Sequence, residues 1–245
     1  TKLRLHLGGI DPDDAFSSIP YEKGSSLLLW IEQNVLTEAE KATFLKEHVE
    51  RHAMKALDTE NWLAAMKARY PKIAEVEQTV HAWLYEEGMP PAEPKFVDTS
   101  LASAAEAVAA HILANEKPPV EEWNALSSAQ QIYALDVVKR GAPLTAEKLS
   151  ALASAPLGLP TAGNAELAYV WIHLGLDSKW EPIITPALEF ALKYGRLKFC
   201  KKTYEKLFSW SASREQAIAQ FEKAKSSMHP ITVQQIEALL KKPFP

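Results

Sequence analysis

The chain has 245 residues, 47% hydrophobic and 24% charged, an ordinary balance for a globular protein. Its 27 basic and 31 acidic residues leave a formal net charge of -4, no electrostatic footprint for nucleic acid, and no apolar run is long enough to span a membrane. A single cysteine, Cys200, excludes an internal disulfide and makes a reducing, cytoplasmic compartment the expectation.

Taken in order, the chain opens with Leu3-Arg-Leu-His-Leu7, a period-2 run that predicts a short extended entry. Residues 11–24 follow as a loop with turn signals, three carboxylates (Asp11, Asp13, Asp14) and one tyrosine, Tyr21, in Pro20-Tyr-Glu-Lys-Gly24. A phenol at a helix entrance stays protonated at neutral pH and donates one strong hydrogen bond, which suits an oxyanion that develops in acyl hydrolysis. On these residues alone, a tyrosine capping a buried turn is the favoured reading, and the aspartates also suit turn or cap positions.

Helical periodicity then takes over. Residues 25–35 predict a buried helix with Leu28, Ile31 and Val35 on one side. Thr37-x-x-Glu40 has the form of a capping box and opens a helix to about Met54. Asp58 caps the next, which carries Trp62, Leu63 and Met66 and stops before Pro71; a short helix leads to Trp83-Leu-Tyr85. On the second of these helices His48 and His52 share a face, but Glu50 lies about 200° from His48 around the helix. That is not the register of a zinc-peptidase helix, and a polar surface is the expectation.

Residues 86–98 are a proline-rich, stiff linker and the expected domain boundary. Beyond it, starts are predicted at Ser128, Thr145, Asn164, Thr185-Pro186, Ser213 and Thr232, with stops at Gly141 and Gly195. Many short helices with short joints predict an all-α superhelix. Arg196 and Lys198 read as a basic helix end or as a carboxylate grip.

Several motifs lie in one order along the chain: the tyrosine loop, Trp83-Leu-Tyr85, Gly88-Met-Pro-Pro91, Ser178-Lys-Trp-Glu181, Gly195-Arg-Leu-Lys-Phe199 and Ser227-Met-His-Pro230. Together they resemble the leukotriene A-4 hydrolase branch of the zinc aminopeptidases. Neither that family's His-Glu-x-x-His helix nor its Gly-x-Met-Glu-Asn loop occurs, and the chain starts at Thr1 without Met, so it reads as the C-terminal part of a longer enzyme.

The resemblance implies an all-α chain. Residues 1–85 would be the helical tail of a thermolysin-like catalytic domain, and residues 99–245 an armadillo-like helical domain that walls the cleft. It implies a bifunctional enzyme acting on peptides and a fatty-acid epoxide. Zinc would be held by ligands outside this chain, in the missing N-terminal and catalytic domains, so the chain alone would bind no catalytic metal and be inactive. Tyr21 would be the oxyanion donor, Asp13 the carboxylate directing water in epoxide opening, Arg196 the substrate-carboxylate ligand and Lys198 its assistant. Phe16 stands where several relatives have tyrosine, which leaves an aminopeptidase without epoxide hydrolase activity open. A stand-alone helical scaffold binding protein partners is the alternative of another class.

Overall fold

The computed structural model describes all residues except 13, 14, 16, 91, 96, 97, 115, 116, 242, 244 and 245. Asp13 and Phe16 therefore lie outside the described residues. Every regular element among those described is helical, and none of the helices is long and apolar enough to cross a membrane. The chain divides into two compact units, Thr1–Val97 and Asp98–Pro245.

The first unit holds α1 (Ile19–Asn34), α2 (Glu38–His52), α3 (Thr59–Arg69), a 3-10 turn (Pro71–Val76) and α4 (Glu77–Tyr85). Its core gathers Leu27, Trp30, Ile31, Phe44, Ile73 and Trp83. Each such side chain contributes about 1.5–3 kcal/mol on leaving water. Thr37 and Glu40 form a complete capping box on α2, and Asp58 caps α3 by accepting from the Asn61 amide at 2.7 Å. The N-terminal segment lies beside α4 through one backbone bond, the Arg4 amide to the Leu84 carbonyl at 2.8 Å.

The helix expected from Ser25 begins six residues earlier. Pro20 sits in its first turn, where a missing N–H costs nothing and the fixed φ is already helical. Tyr21 and Gly24 are consequently helical residues, not parts of a loop.

The second unit holds α5 (Ser100–Ala114), α6 (Val120–Ala125), α7 (Ser128–Arg140), α8 (Ala146–Ser154) and α9 (Ala165–Asp177), then a 3-10 turn (Glu181–Ile183). After it come α10 (Ile184–Lys193), α11 (Leu197–Ser209), α12 (Ser211–Ala224), a further 3-10 turn (Lys225–Ser227) and α13 (Pro230–Leu240). α5, α7, α9, α11 and α13 pack each against the next odd-numbered helix, while α10 and α12 pack on α11. α9 runs through the middle, buried without a break from Val170 to Leu176. Gly175 permits this: a Cβ there would stand 2.7 Å from Ile183 Cγ1.

Thr145 and Asn164 cap as expected, and the cap of α7 lies one residue earlier than expected, with Ser127 and Gln130 as the capping pair. Three other starts differ. α10 follows directly from its 3-10 turn, so Thr185 and Pro186 are inside it. Ser213 lies inside α12, where its hydroxyl is buried and donates to the Leu207 carbonyl at 2.7 Å. Thr232 is buried inside α13, whose cap is His229, with Nδ1 accepting from the Ile231 amide at 3.3 Å. In the last two cases apolar neighbours carry the helix upstream of the polar residue, and the hydroxyl finds a carbonyl or a buried place instead of a free N–H, whereas Thr185 is exposed. Gly195 is not a left-handed stop. α10 ends at Lys193, and the positive-φ glycines are Gly9, Gly88 and Gly158.

Candidate functional site

Tyr21 is the third residue of α1. Its amide bonds to the Ser18 carbonyl at 3.0 Å, and its side chain is 64% exposed. Ser18 supplies no side-chain cap. The phenol thus stands on the first turn of a helix whose other face is core, presented outward and not closing a buried turn.

Two residues on, Lys23 points the other way. It is only 8% exposed, and its ammonium donates to the carbonyls of Thr1 (3.1 Å), Glu86 (3.0 Å) and Gly88 (3.5 Å). Sequence reasoning passed over it. The signal was there: Lys23, Leu27, Trp30 and Ile31 recur at helical spacing, which places a lysine on the buried stripe.

Arg196 and Lys198 stand at the start of α11, not at the end of α10 as a helix-terminus reading would have it. Arg196 is the N-cap residue and gives no side-chain cap bond; its carbonyl accepts from the Cys200 amide at 2.9 Å. With no acidic residue in the first turn, two cations sit at the positive end of a helix dipole, an arrangement that costs energy unless an anion is near.

Phe199 is the post between them. The Arg196 guanidinium lies 5.7 Å and the Lys198 ammonium 5.5 Å from its ring centroid. That ring is itself wedged against Tyr169, Phe190 and Tyr194.

The two cations differ in what they meet. Lys198 Nζ is 2.6 Å from Glu166 Oε1 in the first turn of α9. Arg196 is exposed and, among the described residues, has no carboxylate within ion-pair distance. Glu166 was a second residue the sequence did not flag, because it lies 32 positions away and only the packing of α9 on α11 brings it in.

His48 and His52 do not form a polar surface. Both are half-buried, their ring centroids 4.9 Å apart and the rings tilted by 45°, in a small recess with Phe44, Trp62 and Tyr70. Burial, then the charges of His52 and Arg51, hold His48 below its ordinary pKa. Glu47 faces the same recess and is tied to Arg69 at 2.8 Å; that bond and one from Thr43 hold its carboxyl down at about 2.

Among the described residues no group of three or more His, Cys, Asp or Glu side chains could hold a metal ion. Cys200 is buried with Sγ near the Ala191 and Tyr194 carbonyls, and burial pushes its thiol up to about 11. His173 is buried against Tyr169 and Thr203, also away from a metal set.

Comparison with known proteins defines the class first. Residues 6–83 match the peptidase family M1 domain, and residues 126–240 match the family described as leukotriene A4 hydrolase, C-terminal. Leukotriene A-4 hydrolase of Xenopus laevis is 31% identical over 95% of this chain, and leucine aminopeptidase 2 of Aspergillus niger is 33% identical over 97%. The structure of yeast LTA4 hydrolase in complex with bestatin superposes over 98% of the chain with a TM-score of 0.79 and 27% identity. The chain belongs to the leukotriene A4 hydrolase and aminopeptidase family. It spans 39% of the length of each of those two relatives and 42% of the yeast chain.

Proposed function

We propose that these residues form the C-terminal part of a bifunctional zinc aminopeptidase and epoxide hydrolase, to which they contribute Tyr21 as oxyanion donor and Arg196 as ligand for a substrate carboxylate. Residues 1–85 belong, on this reading, to the tail of the catalytic domain, and residues 99–245 to an armadillo-like C-terminal domain. Zinc is held by residues outside this chain. Asp13 is assigned the water-directing role in epoxide opening on resemblance alone.

The observation that carries the reading is the contrast between Arg196 and Lys198. A planar guanidinium makes two parallel bonds to a carboxylate, and this one stands exposed at a helix start already short of negative charge. Peptides with a free C-terminus and fatty-acid epoxides both bring the carboxylate it lacks. Lys198 is already paired with Glu166 and adds less. In the first unit, the Tyr21 phenol donates a hydrogen bond to the oxygen that becomes negative as the carbonyl turns tetrahedral, an interaction that strengthens as charge develops.

The test is the full-length enzyme assayed on a peptide and on the same peptide with its C-terminus amidated. Arg196→Ala raises KM for the free acid by about tenfold or more and leaves the amide within about twofold, the loss expected for a charge-assisted pair. Equal losses on both substrates would remove the carboxylate role.

A further inference from the structure

The first turn of α1 has little of its own to hold it. Its N-cap Ser18 makes no side-chain bond, and its residues before Lys23 are exposed or half-buried at the surface. Locally it is held by Ser17 Oγ, which accepts from the Ile19 amide at 3.3 Å, and by the Ser18 carbonyl, which accepts from the Tyr21 and Glu22 amides at 3.0 Å; a helix start opens more readily than its interior. One side chain ties it to the rest of the first unit. The Lys23 ammonium carries three donors, and three backbone carbonyls receive them: Thr1 in the N-terminal segment, Glu86 at the C-cap of α4, and Gly88 just after it.

The receiving end is itself built. Glu86 is the residue at which α4 stops, where carbonyls are left over and a cation is favoured. Gly88 adopts φ 88°, which turns the chain back after α4, and its amide donates to Thr1 Oγ1 at 2.5 Å. A buried lysine leaves water at a cost of several kcal/mol unless it is fully bonded, so this arrangement is all-or-none.

Lys23 and Tyr21 are two positions apart, about 200° around the helix. Fixing one fixes the rotation of the turn that bears the other.

We propose that Lys23 is a positioning residue for Tyr21: by clamping the first turn of α1 to the Thr1, Glu86 and Gly88 carbonyls, it sets the direction of the phenol. The proposal rests on Tyr21 being the catalytic donor, and the experiment separates the two. In the full-length enzyme, kcat and KM are measured for Tyr21→Phe, Lys23→Met, Lys23→Arg and the two double variants.

Tyr21→Phe lowers kcat by about a hundredfold or more, the loss of one oxyanion donor. Lys23→Met lowers kcat by about tenfold or more, with KM within about twofold, as expected for a misplaced catalytic group. Lys23→Arg keeps the charge and loses less. In the Tyr21→Phe background either Lys23 change costs nothing further, because there is no phenol left to aim.

Loss of the same factor in both backgrounds would make Lys23 merely structural and overturn the proposal while leaving Tyr21 its role. An unchanged kcat in Lys23→Met would do the same. An unchanged kcat in Tyr21→Phe would overturn both. Should Lys23→Met fail to fold, the Lys23→Arg cycle with Tyr21→Phe decides by the same comparison.

Discussion

Lys198 Nζ lies 2.6 Å from Glu166 Oε1, so the first turn of α11 is joined to the first turn of α9 by an ion pair while Arg196, two residues earlier, has no such partner among the described residues. The pair is partly exposed, 54% and 41%, so it contributes only about 0–1 kcal/mol to folding and is open to competition from a substrate carboxylate.

Glu166→Gln therefore leaves the thermal midpoint nearly unchanged and releases the Lys198 ammonium. KM for a free-acid peptide falls by about twofold to fivefold, and Lys198→Met in the same background restores it. Steady-state kinetics on the full-length enzyme check this; an unchanged KM would mean that Lys198 stays out of reach of substrate.

The start of α7 distinguishes two adjacent serines. Ser127 accepts from the Gln130 amide, whereas Ser128 is already the first helical residue. Ser127→Ala costs about 1 kcal/mol and Ser128→Ala within about 0.5 kcal/mol, measured by urea denaturation. Equal effects would move the cap.

Gly175→Ala sets helix propensity against packing. Alanine gains about 1 kcal/mol in an exposed helix, but here its Cβ would stand 2.9 Å from Ile183 Cβ, an atom next to the backbone that cannot swing away. Overpacking of that kind costs about 1–3 kcal/mol, so the variant is destabilised overall. A raised urea midpoint would show that α9 and the 3-10 turn separate easily.

His173 makes the second unit acid-sensitive. Burial, then the charges of Lys206, Lys139 and Lys202, lower its pKa from 6.5 to about 3. The Thr203 hydroxyl donates to the Phe199 carbonyl at 2.7 Å and so accepts from His173 Nε2–H at 3.2 Å, which fixes the tautomer of the neutral ring. The unfolded chain takes up the proton first. Stability is therefore full above about pH 6.5 and is lost as pH falls toward 3, by about 2 kcal/mol at pH 5. His173→Gln flattens that slope, although it lowers stability at pH 7.5. Denaturation curves at pH 7.5 and 5 give the difference, and an unchanged slope would assign the acid sensitivity to other groups.

Local chemistry is what a sequence carries well. The Thr37 and Glu40 capping box, the Asp58, Thr145 and Asn164 caps, and the all-helical character were legible, because a cap and its amide are separated by two or three residues. Six short motifs in order were enough to point to the family. What misled were the hydroxyls of Ser213 and Thr232, which look like caps in sequence and are buried inside helices, because packing decides where a helix begins when apolar residues extend it upstream.

The identity and order of Tyr21, Arg196 and Lys198 belong to the sequence alone. That Lys23 is buried and held by carbonyls more than sixty positions away, and that Glu166 meets Lys198, was decided only by tertiary structure. The reason is physical: a buried or paired charge is defined by its partners, and those partners come from other elements that periodicity cannot align.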